Sequence, residues 1–253
     1  MSCSTVLFSL FLMSPCTQGG GESINEAISA ALSNPSRPAE DALKDTDRRP
    51  GDVLTFFRIK PGMTVLDLFS GGGYYTELLN SLVGEDGTVI AHTNEAYIPF
   101  SGEIYKKRYL DNRLAQTKTI IAEANELQLE ENSLDAAMLV LTWHDFLFAD
   151  PENGWLAIDE DLLVDKLCKA IKPGGTLGLI DHVANPGGDP SEIAQTMHRV
   201  DPQVVRDFFQ PTCFKLDAEA EFLSNADDDH SLVPFDKTIR GKTDRFVFRF
   251  SRQ

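Results

Sequence analysis

At 253 residues the chain is long enough for one α/β domain with a full core and too short for two. Its 39 acidic against 23 basic side chains leave a formal charge of -16, a field that repels polyanions and argues against nucleic acid or an anionic membrane surface as partner. The four cysteines, Cys3, Cys16, Cys168 and Cys213, form no CxxC pair and keep no regular spacing, so neither a disulfide framework nor a zinc knuckle is expected.

Residues 6–13 are an apolar run followed by Pro15, Cys16 and a Gly-rich tether. The run is too short to span a bilayer, and residues 1–22 read as a leader, with no transmembrane span in the mature protein. A working leader makes the protein exported, either periplasmic or lipid-anchored through Cys16; without one it is cytoplasmic. Residues 23–59 hold helix-compatible stretches broken by Pro35, Pro38 and Pro50, and read as a helical N-terminal cap. From residue 60 to 253, apolar β-rich runs alternate with helical ones. Strands are expected at 64–69, 88–92, 119–122, 136–141, 176–181, 214–216 and 246–250, and helices at 75–83, 104–116, 161–171 and 202–209. Such alternation predicts an α/β fold: a doubly wound, mostly parallel seven-stranded sheet. The last two strands are joined by a long loop without a helical pattern, so they are expected as an antiparallel hairpin at one edge.

The first strand, "VLDLF", runs into Ser70, Gly71, Gly72 and Gly73 and then straight into a helix. In an open α/β sheet a glycine turn at this place lets the backbone approach a ligand closely. A glycine triplet is also what a plain tight turn requires. A dinucleotide fingerprint would put a small residue where Thr76 stands, and no Gly-Lys-Ser/Thr follows to make a P-loop. Asp67, two residues before the turn, suits a ligand with an ammonium group better than one with a pyrophosphate.

"VLDLFSGGGYYTELL" resembles motif I of the class I S-adenosylmethionine-dependent methyltransferases, with Phe69 in place of its first glycine. "IIAEANELQLEENSLDAAMLVL" and "LCKAIKPGGTLGLIDH" resemble the family's later segments, in the right order. "RRPGDVLTFFRIKPGMTVLDLFSGGGYYTELL", "WHD", "IDH", "HRVD" and "IRGKTDRFVFRF" are similar to a bacterial group of predicted methyltransferases, many with exported-looking leaders. The resemblance implies a Rossmann-like fold, S-adenosyl-L-methionine as cofactor and an antiparallel last hairpin. It implies a cofactor site of Asp67, Phe69, Ser70, Gly71, Gly72, Gly73 and Thr142. Glu123 and Ala124 stand where the family's acid meets the adenine amino group. Thr93 occupies the usual acidic ribose slot, so the ribose contact passes to Asn94 and Glu95.

Methyl transfer is an in-line displacement, and a base is needed only where the acceptor has a proton to lose. The residues able to reach that point are "TWHDF", "DHVAN" and "MHRVD", after strands four and five. His144 is the first choice as base or acceptor-orienting group, with Asp145 and His182 beside it as catalytic candidates. Trp143, Asp181, His198 and Arg199 are the acceptor-binding candidates, Trp143 as an aromatic wall or as packing beneath the cofactor. Histidines with carboxylates are also a metal inventory, but the row of three hard-oxygen ligands found in catechol-type enzymes is absent, and no metal is expected. His92 and His230 read as strand and surface residues, and Lys242 as a surface ion-pair partner. No Asn-Pro-Pro-Tyr motif follows strand four, which together with the charge directs the expectation to a small-molecule acceptor. The competing expectation is a non-catalytic protein that binds S-adenosylmethionine or S-adenosylhomocysteine, motivated by Phe69, Thr93 and the leader. The oligomeric state has no sequence signal.

Overall fold

Seven strands form one sheet in the computed structural model, which describes residues 23–110 and 113–253. The leader, with Cys3 and Cys16, lies outside the described residues. The strands are β1 (Thr64–Leu68), β2 (Thr88–Thr93), β3 (Thr117–Ile121), β4 (Leu134–Val140), β5 (Ile171–His182), β6 (Phe214–Ala220) and β7 (Arg245–Arg252). Their order is β3-β2-β1-β4-β5-β7-β6. β1 through β5 pair in parallel, whereas β7 runs antiparallel to both β5 and β6. All seven strands lie where the apolar runs put them. The central ones are legible because both of their faces are covered, which demands near-continuous apolar sequence such as "VLDL" and "AMLVL".

The helices, in chain order, are α1 (Ile24–Leu32), α2 (Ala39–Ala42), α3 (Asp45–Arg48), α4 (Pro50–Phe56), α5 (Tyr74–Val83), α6 (Ile98–Tyr105), α7 (Glu160–Ala170), α8 (Pro190–Met197) and α9 (Pro202–Phe209). One face of the sheet buries Ala27, Ile28 and Ala31 of α1, Val53 and Leu54 of α4, Phe57, and Leu78 and Leu79 of α5 in a single cluster with Val65, Met138 and Val247. The other face packs Leu163, Val164 and Leu167 of α7 and Val205 and Phe209 of α9 against Leu66, Leu139, Leu179 and Phe248. Each fully buried side chain of this kind contributes about 1.5–3 kcal/mol. Phe57 lies so close to β5 that a Cβ on Gly178 would meet its ring at 2.4 Å.

The structure departs from the sequence expectations in three places. The helix expected over 104–116 is instead α6, broken at Gly102 (φ 51°), followed by a π-helical turn, Lys106–Leu110. α8 has no counterpart among the expected helices, although "DPSEI" carries its start signal: Asp189 caps the amides of Ser191 and Glu192, and Pro190 occupies the first turn. Finally, Cys168 and Cys213 form a disulfide, against the expectation of none. Cys168 stands on α7 and Cys213 just before β6, so the fold brings together two residues that spacing along the chain does not relate.

Candidate functional site

β1 and β4 are neighbours, with β2 on one side and β5 on the other, so strand order reverses between them. A ligand of an open α/β sheet sits beyond the carboxyl ends of the strands at such a point. The turn after β1 supplies one wall. Its backbone is left-handed at Phe69 (φ 52°), Gly71 (φ 55°) and Gly73 (φ 74°). Glycine adopts this freely, whereas a residue with a Cβ loses about 1–2 kcal/mol. Phe69 offsets that strain by burying its ring among His92, Tyr97 and Phe146, so only its backbone is left for the turn.

The bare backbone of the turn is approached by the chain's own α6 and π-turn. A Cβ on Gly73 would lie 2.4 Å from the Tyr109 hydroxyl and 2.5 Å from Arg108 Cδ, and one on Gly72 would touch Ile104. The Tyr109 hydroxyl donates to Ser70 Oγ at 2.9 Å and lies 2.9 Å from Thr76 Oγ1. Arg108 is buried and donates to Asp41 at 2.6 Å and to Glu77 at 2.8 Å. Residues 98–110 therefore form a strap across the glycine turn. Beneath it, Asp67 accepts the Thr76 hydroxyl at 2.5 Å. Burial pushes its carboxyl up to about 6, outweighing that hydrogen bond and the more distant charges of Arg108 and Arg48.

Two further strand ends complete this side. Asn94, buried after β2, donates to Glu123 Oε2 at 3.1 Å, while Glu95 beside it is exposed. Ala124 is buried and opens a 3-10 turn after β3. The Thr142 hydroxyl, after β4, is buried with no hydrogen-bond partner.

Beyond β4 and β5 lies a cavity of about 440 Å³, walled by the aromatic rings of Tyr97, Phe100, Phe148, Trp155 and Phe235 and floored by His144, Asp145, His182 and His198. His144 opens a 3-10 turn, His144–Phe146. Asp181, fully buried near the end of β5, accepts its backbone N–H at 2.8 Å and lies 2.8 Å from its Nδ1. That leaves His144 Nε2 facing Asp145 Oδ1 at 3.3 Å. His198 is the left-handed C-cap of α8 (φ 50°), and its Nδ1 lies 3.8 Å from the same oxygen. The Tyr97 hydroxyl donates to the other oxygen, Asp145 Oδ2. His182 Nδ1 lies 2.7 Å from Thr243 Oγ1.

Burial alone would lower the His144 pKa, but the carboxylates of Asp181 and Asp145 outweigh it and raise it to about 9. Burial also disfavours charge on Asp145, yet His144, the nearby His198 imidazole and the hydrogen bond from Tyr97 hold its carboxyl below the usual range. Burial, then the positive charges of His144, Arg245, Arg199 and Arg48, push His182 well below the ordinary imidazole value. The cavity floor thus holds a histidine that favours its proton beside one that resists protonation.

Several solved structures share this architecture. A SAM-dependent methyltransferase from Aquifex aeolicus aligns over 86% of this chain and 99% of its own, with a TM-score of 0.57 at 22% identity. The fold is that of the class I methyltransferases. Geranyl diphosphate C-methyltransferase from Streptomyces coelicolor, solved with Mg2+, geranyl-S-thiolodiphosphate and S-adenosyl-L-homocysteine, has the methyltransferase fold in common over 88% of this chain and 84% of its own, with a TM-score of 0.57 at 12% identity. The family model for protein-L-isoaspartate(D-aspartate) O-methyltransferase matches residues 49–108, which span α4, β1, the glycine turn, β2 and most of the strap. That match ends before the residues of the cavity floor. No curated protein matches the chain.

Within the methyltransferase fold, His144, Asp145, His182 and His198 line one cavity. Trp143 and Arg199 do not join them. Trp143 is core, packed on Phe146, Phe208 and Phe209, and the aromatic wall is Trp155 instead. Arg199 is fully buried and spends its guanidinium on the Leu232 and Val183 carbonyls and the Asp228 carboxylate, tying a long loop to the sheet. Asp181 is fully buried against His144, with no surface of its own in the cavity. His92 is a buried strand residue, as read, whereas His230 is partly buried between Asn185 and Asp244. Tyr97, Phe148, Trp155 and Phe235 escaped sequence reasoning. Their one available signal is aromatic content in loops at the carboxyl ends of strands, as in "NEAYIPF" after β2.

Proposed function

We propose that the protein transfers the methyl group of S-adenosylmethionine to a small acceptor with an apolar or aromatic body. Tyr97 carries the reading: its ring packs on Phe69 of the glycine turn and its hydroxyl binds Asp145, so the cofactor side and the cavity share one wall. The residues fit the cofactor. Asp67, buried without an ion-pair partner among the described residues, suits the methionine ammonium. Asn94 and Glu123 suit the ribose hydroxyls and the adenine amino group, and the orphaned Thr142 hydroxyl is a further polar contact. The strap lies over the glycine turn, so cofactor entry requires it to lift.

In the transfer, an acceptor heteroatom attacks the methyl carbon, the sulfur–carbon bond breaks, and the sulfonium leaves as a neutral thioether. His144, its Nδ1 held by Asp181, orients the acceptor heteroatom, and the proton that the heteroatom loses goes to a neutral imidazole of the cavity floor. The aromatic walls and the net charge of -16 favour an apolar small molecule over a polyanion. The Cys168–Cys213 disulfide supports an exported protein, since such bonds persist in oxidising compartments.

The second reading, a binding protein without turnover, is favoured by Phe69 in the left-handed turn and by the strap. Titration of the full chain with S-adenosylhomocysteine, followed by transfer of labelled methyl to a panel of phenols, thiols and amines, tests both. Binding with transfer supports the enzyme, binding without transfer supports the second reading, and no binding overturns both.

A further inference from the structure

We propose that His144, Asp145 and His198 form a site for a divalent transition-metal ion on the floor of the cavity. One ligand atom from each lies within 4.8 Å of the others. His144 Nε2 and His198 Nδ1 lie 3.3 and 3.8 Å from Asp145 Oδ1. Donor atoms of a tetrahedral site with bonds near 2.0–2.1 Å are about 3.3 Å apart, so closure on an ion needs only small side-chain shifts. At 3.8 Å the His198–Asp145 pair is too long for a direct hydrogen bond, which leaves room between them.

The surroundings are those of a metal site. Asp181 engages His144 Nδ1 at 2.8 Å, fixing the ring so that Nε2 is the free donor, the carboxylate–histidine arrangement that orients metal ligands. Tyr97 holds Asp145 Oδ2, which turns Oδ1 to the two imidazoles. Three protein ligands from two loops leave further positions open to the cavity, as in catalytic sites rather than closed structural ones. Two imidazoles and one carboxylate select zinc, cobalt or iron(II) over magnesium or calcium, which take oxygen. The three ligands sit on the segments after β4 and α8, distant in sequence, and no single motif announces them.

The site stands on its own donor geometry; its use, to bind the acceptor heteroatom and ease loss of its proton, rests on the methyl-transfer reading. The test is calorimetric titration of the chelator-treated full chain with Zn2+ and with Co2+, the latter also followed by its visible absorption. One equivalent is expected to bind at micromolar concentration or tighter, with Co2+ spectra of nitrogen and oxygen ligation. His198→Asn, at a partly exposed position whose left-handed backbone tolerates Asn, and Asp145→Asn are each expected to weaken binding at least about 10-fold while S-adenosylhomocysteine binding persists. No binding of either ion at millimolar concentration, or binding unchanged in both variants, overturns the site. Loss of S-adenosylhomocysteine binding in a protein that still takes the ion would overturn the methyl-transfer reading alone.

Discussion

Asp181 holds His144 twice, accepting its backbone N–H at 2.8 Å through one carboxylate oxygen and meeting its ring Nδ1 at 2.8 Å with the other. The second oxygen also accepts the backbone N–H of His182 at 2.7 Å. One buried side chain thus fixes both histidine segments, at the ends of two adjacent parallel strands. Asp181→Asn keeps the shape but not the charge. It should lower stability by about 1–3 kcal/mol, the range for a compromised buried hydrogen-bonded group. If Asp181 positions His144, turnover should fall about 10–100-fold with S-adenosylhomocysteine affinity unchanged. Equal losses in affinity and turnover would reduce Asp181 to a structural strut.

Asp67 makes the opposite kind of prediction, a site residue whose removal stabilises the unliganded fold. Its carboxyl is raised to about 6 in the folded protein, from about 3.9 in an unfolded chain. Relative stability from this group is therefore full below pH 4, declines between pH 4 and 6, and is lost above 6. At about 1.4 kcal/mol per unit, the ionised group costs about 3 kcal/mol at pH 7. Asp67→Asn should raise the melting temperature at pH 7 and leave it little changed at pH 4, while weakening S-adenosylhomocysteine by about 1–3 kcal/mol. A variant that melts lower at pH 7 would show that Asp67 has a stabilising partner in the unliganded fold.

The strap of residues 98–110 predicts a motion. The Tyr109 hydroxyl joins Ser70 and Thr76, and Arg108 joins Asp41 and Glu77, directly over the turn where the cofactor is proposed to bind. Saturating S-adenosylhomocysteine should therefore speed hydrogen exchange of the amides in 98–110 and slow it in β1 and the glycine turn. Tyr109→Phe, which loses about 1–2 kcal/mol of strap contacts, should raise the association rate about 3–10-fold. Unchanged exchange in 98–110 on saturation would mean that the cofactor binds elsewhere or not at all.

The sheet was legible because burial on both faces writes itself into sequence as apolar runs, and the last hairpin because no helical pattern separates β6 from β7. The floor of the cavity was legible for a different reason: His144 follows β4 and His182 ends β5, where topology alone places ligand-facing loops, whereas His198 caps α8 in the segment that comes after. Trp143 stayed open in the sequence because an aromatic beside a polar triplet reads equally as wall or as packing, and only its contacts with Phe208 and Phe209, from a distant helix, decide it. Arg199 misled because its partner Asp228 stands 29 residues away in the long loop between β6 and β7, and nothing along the chain relates the two. The strap was read only as part of a continuous helix, because its break at Gly102 and its position depend on contacts such as the buried ion pair between Arg108 and Asp41, 67 residues earlier.

The disulfide was invisible for the same reason, and it yields the last prediction. Cys168 and Cys213 are 45 residues apart and tie α7, behind β4 and β5, to the start of the edge strand β6. Closing a loop of that length restricts the unfolded chain by up to about 4 kcal/mol in the chain-entropy description. Cys168→Ala together with Cys213→Ala should lower the melting temperature by several degrees, up to about 8–16 °C at 2–4 °C per kcal/mol for a chain of this size. Dithiothreitol should lower the wild type by the same amount and leave the double variant unaffected. The α7–β6 side lies away from the glycine turn, so S-adenosylhomocysteine affinity should survive in both cases at temperatures where the protein is folded. An identical melting temperature with and without reductant, in a protein shown by mass to carry the bond beforehand, would mean that packing alone holds α7 and the edge strand in place.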